Sequence, residues 1–464
     1  MVVGNVPEAV DLVVAGGGPG GYTAALEAAH RGRRVLLIDA AGDDGVGGVC
    51  LHVGCIPSKT LIETAELHHR ISHAQPMGIA CGPPVFDMAT FQGWKAERVA
   101  GLCGGVRGLL KQAGVTVKRG RMRITQPGTV VVSDGDGGAQ FLNYKDLILA
   151  TGSAPSTLAD LPIDGERIVD STGALSLTTL PESVAVVGGG YIGLELGTAL
   201  AKLGSRVTIL EADARLLPAM DASLHRPLAR RLGELGVDVV TGAYVTGADD
   251  EHLLFQRDGK SQQVRCELIV VAVGRRANTA ELGLEELGLK PGGGGLVPVA
   301  PDRAAAAHVY AIGDITDGPA LAHKATAEAV VAAEAACGGH VAFEPQVVPV
   351  VVFSDPEIAS VGWSAAAAAE AGADVRKTVL PLSASGRAAT MGQKLGSVEC
   401  ISDVADGTLL GVTFVGPHAS ELVAEAALAI EMGASVEDLS MTIHPHPTLS
   451  EQLYEVSHAA LRAG

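Results

Sequence analysis

The chain has 464 residues, too many for one compact core and enough, at the usual domain size, for about three domains. Its 34 Lys plus Arg are outweighed by 52 Asp plus Glu, giving a net charge of −18 and a pI near 5.2, which excludes a basic surface that could track a phosphate backbone. No apolar run approaches the roughly 18 residues of a membrane span, and seven scattered cysteines, an odd number, do not read as an extracellular disulfide framework.

The opening residues, MVVGNVPEAVDLVVAGGG, lack the basic n-region of a secretory signal and run directly into a glycine-rich loop. They read as a first strand, and the location as cytoplasmic. Residues 12–40, LVVAGGGPGGYTAALEAAHRGRRVLLIDA, follow a plan of apolar strand, Gly-x-Gly-x-x-Gly turn, Ala/Leu-rich helix, second strand and acid. Gly16 allows the tight turn, Gly18 lets backbone approach a pyrophosphate, and Gly21 lets helix and sheet pack closely. The helix N-terminus then offers free N–H groups and a positive dipole end to an anion. Asp39, at the end of the second strand, is placed to accept hydrogen bonds from a ribose diol.

Next comes GGVCLHVGCIPSKTLIETAELHHRI, residues 47–71. Cys50 and Cys55 are separated by four residues, and Pro57 with the apolar periodicity after it predicts a helix start just downstream. A thiol at a helix N-terminus has its thiolate favoured, which suits attack on a disulfide, and Lys59 adds a positive charge one turn on. The bland alternatives are two structural thiols or half a zinc site, but no second Cys or Cys/His pair stands at ligand spacing. Cys81, Cys103, Cys266, Cys337 and Cys400 are isolated and read as small buried hydrophobes.

Further along, DLILATGSAP ends a strand with a loop beyond Pro155. Residues 184–212, VAVVGGGYIGLELGTALAKLGSRVTILEA, then repeat the first plan, with Gly188, Gly190 and Gly193 in the glycine positions and Glu211 as the acid. Two such units imply two dinucleotides. A carboxylate at Glu211 repels a 2′-phosphate and so favours NAD over NADP, although Arg215 lies close by. The run EPQVVPVVVF, 344–353, opens another strand. SAAAAAEAGA, 364–373, and ELVAEAALAIEMG, 421–433, read as helices, the first at the surface.

The motifs together resemble the pyridine nucleotide-disulfide oxidoreductases, and within them the members that oxidise dihydrolipoamide with NAD. The resemblance runs along the whole chain. It rests on the first fingerprint, GGVCLHVGCIPSK, ATGS at 150–153, GGGYIGLELG at 188–197, ILEADARLLPAMD at 209–221, VGRRANT at 273–279, AIGDI at 311–315, LAHKA at 321–325 and HPHPTLSEQL at 444–453.

The resemblance implies an α/β fold with two Rossmann-like dinucleotide-binding domains, for FAD and NAD, and a C-terminal α+β dimerisation domain. The boundaries expected are 1–152 for FAD, 153–275 for NAD, 276–345 for a central segment completing the FAD site, and 346–464 for the interface. FAD would be held by Gly16, Gly18, Gly21, Asp39, Lys59, Gly120, Thr151, Gly152 and Ser153, by Asp314 at the ribityl chain, and by Leu321, Ala322 and His323 near the flavin ring, where helix N–H dipoles stabilise negative charge. Glu195 would pair with Lys59. NAD would be held by Gly188, Gly190, Tyr191, Ile192, Gly193, Glu211, Val245 and Gly274, with Tyr191 where the nicotinamide enters.

Cys55 would face the flavin and Cys50 would exchange with the dithiol. The proton that the substrate loses requires a base, and the resemblance assigns it to His446, oriented by Glu451, with His444 two residues away as a rival. In the family this pair comes from the partner subunit of a homodimer. The dithiol would reach the site on the lipoyl domain of a 2-oxo acid dehydrogenase E2 component or on a glycine cleavage H protein. Related glutathione, trypanothione and mercuric reductases, and a non-catalytic redox-sensing flavoprotein, are the alternatives. The first two usually carry a second Lys at the position of Ser58 and use NADP; mercuric reductase needs a C-terminal cysteine pair, whereas the last cysteine here is Cys400. The family also usually has Thr and Asn in place of Val49 and His52, and a Tyr-Thr pair within FSDPEIASVG, 353–362.

Overall fold

The structure, a computed structural model, describes residues 8–134 and 138–462; residues 1–7, which the sequence joins to the first strand, lie outside the described residues. The chain divides into two compact units, each assembled from three separate stretches. The first takes in the chain up to Thr60, then Ala89–Ser156 and Gly274–Glu344. Its eight-stranded sheet has a parallel centre in which Glu8–Ala15 lies between Val35–Asp39 and Ala139–Leu149. Thr116–Arg119 extends one side, and Val309–Ala311 with Ala304–Ala306 the other. The hairpin Arg121–Gln126 and Thr129–Ser133 folds back antiparallel onto Ala139–Leu149.

Leu12, Val13 and Val14 are all fully buried, as expected for a central parallel strand covered on both faces, whose residues form a continuous apolar run and not an alternating one. On one face Leu12, Val14, Leu37 and Ile148 meet the alanines of two helices, Pro19–His30 and Ala322–Ala336. These small side chains let the two helices come close: a Cβ added at Gly20 would stand 3.4 Å from the Cβ of Ala325. On the other face Val13, Ile38, Leu147 and Leu149 pack with Ile124, Val130 and Val309.

The second unit comprises Leu61–Met88, Thr157–Val273 and the chain from Pro345 onward. Its five-stranded parallel sheet runs Asp238–Thr241, Arg206–Glu211, Ser183–Val187, Leu268–Val271, Ile168–Asp170, and a three-stranded antiparallel sheet follows in Tyr244–Ala248, His252–Arg257 and Lys260–Arg265. The C-terminal part is a five-stranded antiparallel sheet, Val350–Val352, Ile358–Gly362, Leu409–Val415, Ser397–Asp403 and Val375–Pro381. The helices Ala419–Glu431 and Glu451–Arg462 bury Val423, Ala426, Leu453 and Val456 against it. The fold is therefore α/β with two Rossmann-like units and a C-terminal α+β part.

The Ala-rich segment forms the short helix Ala365–Glu370, capped by the Ser364 hydroxyl, which accepts from the Ala367 N–H at 3.1 Å. The isolated cysteines divide: Cys103, Cys266 and Cys400 are buried as expected, but Cys81 is exposed and Cys337 half-buried. Burial pushes the Cys400 thiol up to about 12, so it stays protonated and inert. Among the described residues no helix is long and apolar enough to cross a membrane.

Candidate active site

The two fingerprints are built alike down to single hydrogen bonds. Gly16 and Gly188 each donate their N–H to the adjacent strand, at Ile38 O and Leu210 O, 2.8 Å in both cases. Both lie at positive φ, +106° and +109°, and a Cβ at either would come within 2.4 Å of a carbonyl oxygen, Ala150 O or Ala272 O. At Gly21 and Gly193 an added Cβ would strike the carbonyl oxygens of Gly16 and Gly188 at 1.8 and 2.0 Å. The middle glycines differ. A Cβ on Gly18 would be 4.0 Å from its nearest neighbour, Gly48 Cα, and one on Gly190 would meet nothing within 4 Å. The loop is thus closed against the protein at its first and third glycines and open at the second, as a backbone surface for a pyrophosphate requires.

The two strand-end acids pin these loops. Asp39 Oδ2 accepts from Gly17 N–H at 2.9 Å and Glu211 Oε2 from Gly189 N–H at 2.6 Å. Their second oxygens take Ala41 N–H at 2.9 Å and Asp213 N–H at 2.8 Å. Their backbone carbonyls accept from Gly120 N–H and Ala243 N–H, both at 2.9 Å. Gly120, at φ +152° against Val132 and Ser133, is therefore brought to Asp39. In the second unit the matching position is Ala243, and Val245 stands two residues further on, half-buried in Tyr244–Ala248.

The cysteines follow directly from the first loop. Gly47 donates its N–H to Gly17 O at 2.8 Å, and a Cβ at Gly48 would lie 2.6 Å from Gly18 Cα. The short helix Gly48–His52 starts at this contact and carries Cys50; the long helix Cys55–Ser72 has Cys55 as its first residue, two positions earlier than the Pro57 start expected. The two sulfurs are present as thiols in hydrogen-bond contact. That contact, with burial and the charge repulsion of a second thiolate, pushes the Cys50 thiol far up, against the pull of Lys59. Lys59 lies half-buried one turn into the long helix.

The ATGS segment and the Asp314 turn also meet. Thr151 and Gly152 are tied to Asn278, with Thr151 Oγ1 donating to Asn278 O at 2.8 Å and Asn278 N–H donating to Gly152 O at 2.9 Å. Ser153 Oγ donates to Asp314 Oδ2 at 2.5 Å. Arg275 holds Ser153 from the far side, its Nε 2.7 Å from Oγ and its Nη2 donating to Ser153 O at 2.6 Å. Leu321 caps the helix Ala322–Ala336, so Ala322 and His323 form its first turn, where backbone N–H groups point outward.

In the second unit Tyr191 and Ile192 open the helix Tyr191–Leu203, Tyr191 exposed and Ile192 half-buried. Glu195, buried on the same helix, accepts from Phe353 N–H at 3.0 Å. Gly274 falls in the first unit, at φ +115°, with its carbonyl accepting from Ser156 N–H at 2.9 Å. The two tail histidines are unlike. His444 is half-buried, its side chain covered and engaged through both ring nitrogens, 2.9 Å from Thr442 O and 2.9 Å from Glu425 Oε1. His446 is exposed; its Nδ1 lies 2.8 Å from Glu451 Oε1, and among the described residues nothing bonds its Nε2. Glu451 also accepts from Thr448 N–H at 2.8 Å, and this bond, followed by His446, holds its carboxyl below the usual range. Among the described residues no group of three His, Cys, Asp or Glu could hold a metal ion.

Comparison with known proteins gives a consistent picture. A family model described as pyridine nucleotide-disulphide oxidoreductase matches residues 10–329, and the dimerisation domain of that family matches residues 348–457. The chain belongs to the pyridine nucleotide-disulphide oxidoreductases. Curated relatives named dihydrolipoyl dehydrogenase, from Geobacillus stearothermophilus and Halobacterium salinarum, are each 42% identical over 99% of this chain and 98% of their own. Among solved structures, LpdA from Mycobacterium tuberculosis has a TM-score of 0.89 at 29% identity, over 97% of this chain and 99% of its own. The HOCl-induced flavoprotein disulfide reductase RclA from Escherichia coli has a TM-score of 0.85 at 27% identity with the same coverage.

As a pyridine nucleotide-disulphide oxidoreductase with its dimerisation domain, the protein is a homodimer that uses FAD and NAD. The loops fit both cofactors, because each leaves room only at the glycine where a phosphate must approach. Sequence reasoning missed Arg275, which buttresses Ser153 and through it Asp314. Its only signal was membership of VGRRANT, and nothing in that string says which group the guanidinium would reach. His52, unusual for the family, is absorbed locally: its Nε2 lies 2.9 Å from Val46 O and 3.4 Å from Cys103 Sγ. Val49 is exposed.

Proposed function

We infer that the protein is a dihydrolipoyl dehydrogenase, oxidising a protein-bound dihydrolipoyl group to the cyclic disulfide while reducing NAD⁺. The observation that carries this reading is the Cys50–Cys55 dithiol, seated on the loop that Gly47 and Gly48 bind to the first fingerprint. The named relatives over the full chain support the choice of substrate. Residues 1–152 would serve as the FAD domain, 153–275 as the NAD domain, 276–345 as the segment that completes the FAD site, and 346–464 as the dimer interface.

FAD supplies a two-electron connection between the sulfurs and nicotinamide, and the first fingerprint, Asp39, Gly120, Thr151 to Ser153, Asp314 and Leu321 to His323 would hold it. Gly188, Gly190, Gly193, Glu211 and Val245 would hold NAD. With Cys50 and Cys55 oxidised, a substrate thiolate attacks Cys50 Sγ, forming a mixed disulfide and releasing Cys55 as the leaving thiolate. The second substrate thiol closes the lipoyl disulfide and displaces Cys50, which recovers a proton. His446 of the partner subunit, kept by Glu451 with Nε2 outward, takes the substrate proton first and returns one to Cys50. The net change is one dithiol oxidised, with two electrons and one proton passing to NAD⁺ and one proton to solvent.

The location is cytoplasmic in this reading, and the lipoyl group arrives on a partner, the E2 component of a 2-oxo acid dehydrogenase complex or a glycine cleavage H protein. The test is direct: NADH formation with dihydrolipoamide, for wild type and Cys50→Ser. Wild type should form NADH and Cys50→Ser should fall to background while keeping its flavin. Equal rates in the two proteins would dismiss the mechanism, and turnover with glutathione and NADPH in place of dihydrolipoamide and NAD would reassign the substrate.

A further inference from the structure

Behind the Asp314 turn lies a buried ion cluster that none of the roles above uses. Glu328, in the second turn of the helix Ala322–Ala336, is 0% exposed. A carboxylate so placed is costly unless its oxygens are fully engaged. Here Oε2 accepts from Gly313 N–H at 2.7 Å and Oε1 from Arg303 Nη1 at 2.9 Å, while Lys324 Nζ and Thr316 Oγ1 stand 3.1 and 3.2 Å from Oε1. Lys324, itself 4% exposed, also reaches Thr316 Oγ1 at 3.1 Å and Gly313 O at 3.3 Å. Both backbone polar groups of Gly313 are thus fixed from one helix, by residues four apart on the same face.

Gly313 immediately precedes Asp314. It sits at φ +77°, and a Cβ there would press on Ala325 at 3.2 Å, so the turn lies directly on the helix. The same helix presents Ala322 and His323 in its first turn. One carboxylate therefore sets the spacing between the turn that carries Asp314 and the helix start that carries His323. Asp314 is held through its side chain by Ser153, which Arg275 buttresses in turn, and its neighbour Gly313 is held through the backbone N–H by Glu328.

We propose that Glu328, with Lys324 and Arg303, is a positioning residue for flavin: it touches no cofactor but holds Asp314 and the 321–323 segment in the one arrangement that retains FAD. The proposal rests on the reading of Asp314 as a flavin residue. It is tested on the holoenzyme by diluting it and following the rise of flavin fluorescence as FAD leaves, with NAD binding measured by calorimetry alongside.

Loss of a charged hydrogen-bond acceptor should make Glu328→Gln release FAD about tenfold faster or more, with NAD affinity within about twofold of wild type because the second fingerprint lies in the other unit. Thr316→Val, which removes one partner and leaves the ion pairs, should fall between the two, and it carries the test if Glu328→Gln does not fold. Asp314→Asn is the control for the underlying reading and should also speed release. Wild-type release from Glu328→Gln, or from Thr316→Val where only that variant folds, with faster release from Asp314→Asn would overturn the role of Glu328 alone. Unchanged release from Asp314→Asn would overturn the reading of Asp314 and the proposal with it. A parallel loss of NAD affinity in Glu328→Gln would show general loosening and also overturn it.

Discussion

His446 and His444 show how much two residues of spacing decide. His444 has both ring nitrogens committed within its own chain, whereas His446 gives Nδ1 to Glu451 and presents Nε2 outward. Replacing His446 by Gln should lower dihydrolipoamide oxidation by about 10²–10⁴-fold, the usual contribution of a general base, while FAD content and NADH oxidation with an artificial acceptor stay at wild-type levels. Steady-state rates in the two assays check this. A second residue-scale expectation concerns acid stability. Burial, then the neighbouring His73 and Arg231, hold His69 down at about 4, against an ordinary 6.5. Between those values the unfolded chain binds a proton that the folded chain refuses, so this contribution to stability is complete above pH 6.5 and fades as the pH falls towards 4. Thermal melting followed from pH 7 to 4 should show a steeper loss for wild type than for His69→Gln. At this scale the sequence was readable where chemistry demands a residue type at fixed spacing, as with the glycines, the cysteine pair and HPHPTLSE. It was silent where partners are distant: Arg275 reaches Ser153 across 122 positions, and Ser153 reaches Asp314 across 161.

The fingerprint is the element whose failure can be separated into two. Gly21 and Gly193 both face a carbonyl oxygen that an added methyl would overlap. Gly193→Ala should keep the yellow flavin and lose NAD binding, whereas Gly21→Ala should lose FAD; absorbance near the flavin band and calorimetry with NAD distinguish them, and two variants with the same phenotype would refute separate sites. Long strands and helices with clear periodicity were evident from residue order, since Leu12 to Val14 and Val184 to Val187 are β-branched or apolar throughout and fully sheltered. Short pieces were not. The strand Ala304–Ala306 consists of three alanines with no preference for extended structure, and it forms because Val309–Ala311 extends the sheet beside it. The hairpin Arg121–Ser133 is different, since its turn is marked by Pro127 and Gly128 and its second strand by the β-branched run Thr129 to Val132.

At the scale of the whole molecule the proposed chemistry needs two chains, since the base is assigned to the partner subunit. Cys50→Ser and His446→Gln should each be inactive as homodimers. Dissociated and reassociated in equal amounts, they should regain up to about a quarter of wild-type activity, because half the dimers are mixed and each mixed dimer has one intact site. No recovery, with mixed dimers shown to be present, would mean that each chain supplies its own base. The interleaving of the chain has a further consequence during synthesis. The sheet of the first unit is completed only by Val309–Ala311, more than 150 residues after Ala139–Leu149 beside which it lies, while the second unit's parallel sheet is contiguous from Ile168 to Val271. On the ribosome, the parallel sheet of the second unit can therefore close first, and the growing polypeptide must keep the unfinished sheet of the first unit waiting, apolar edge open, until its last strand emerges.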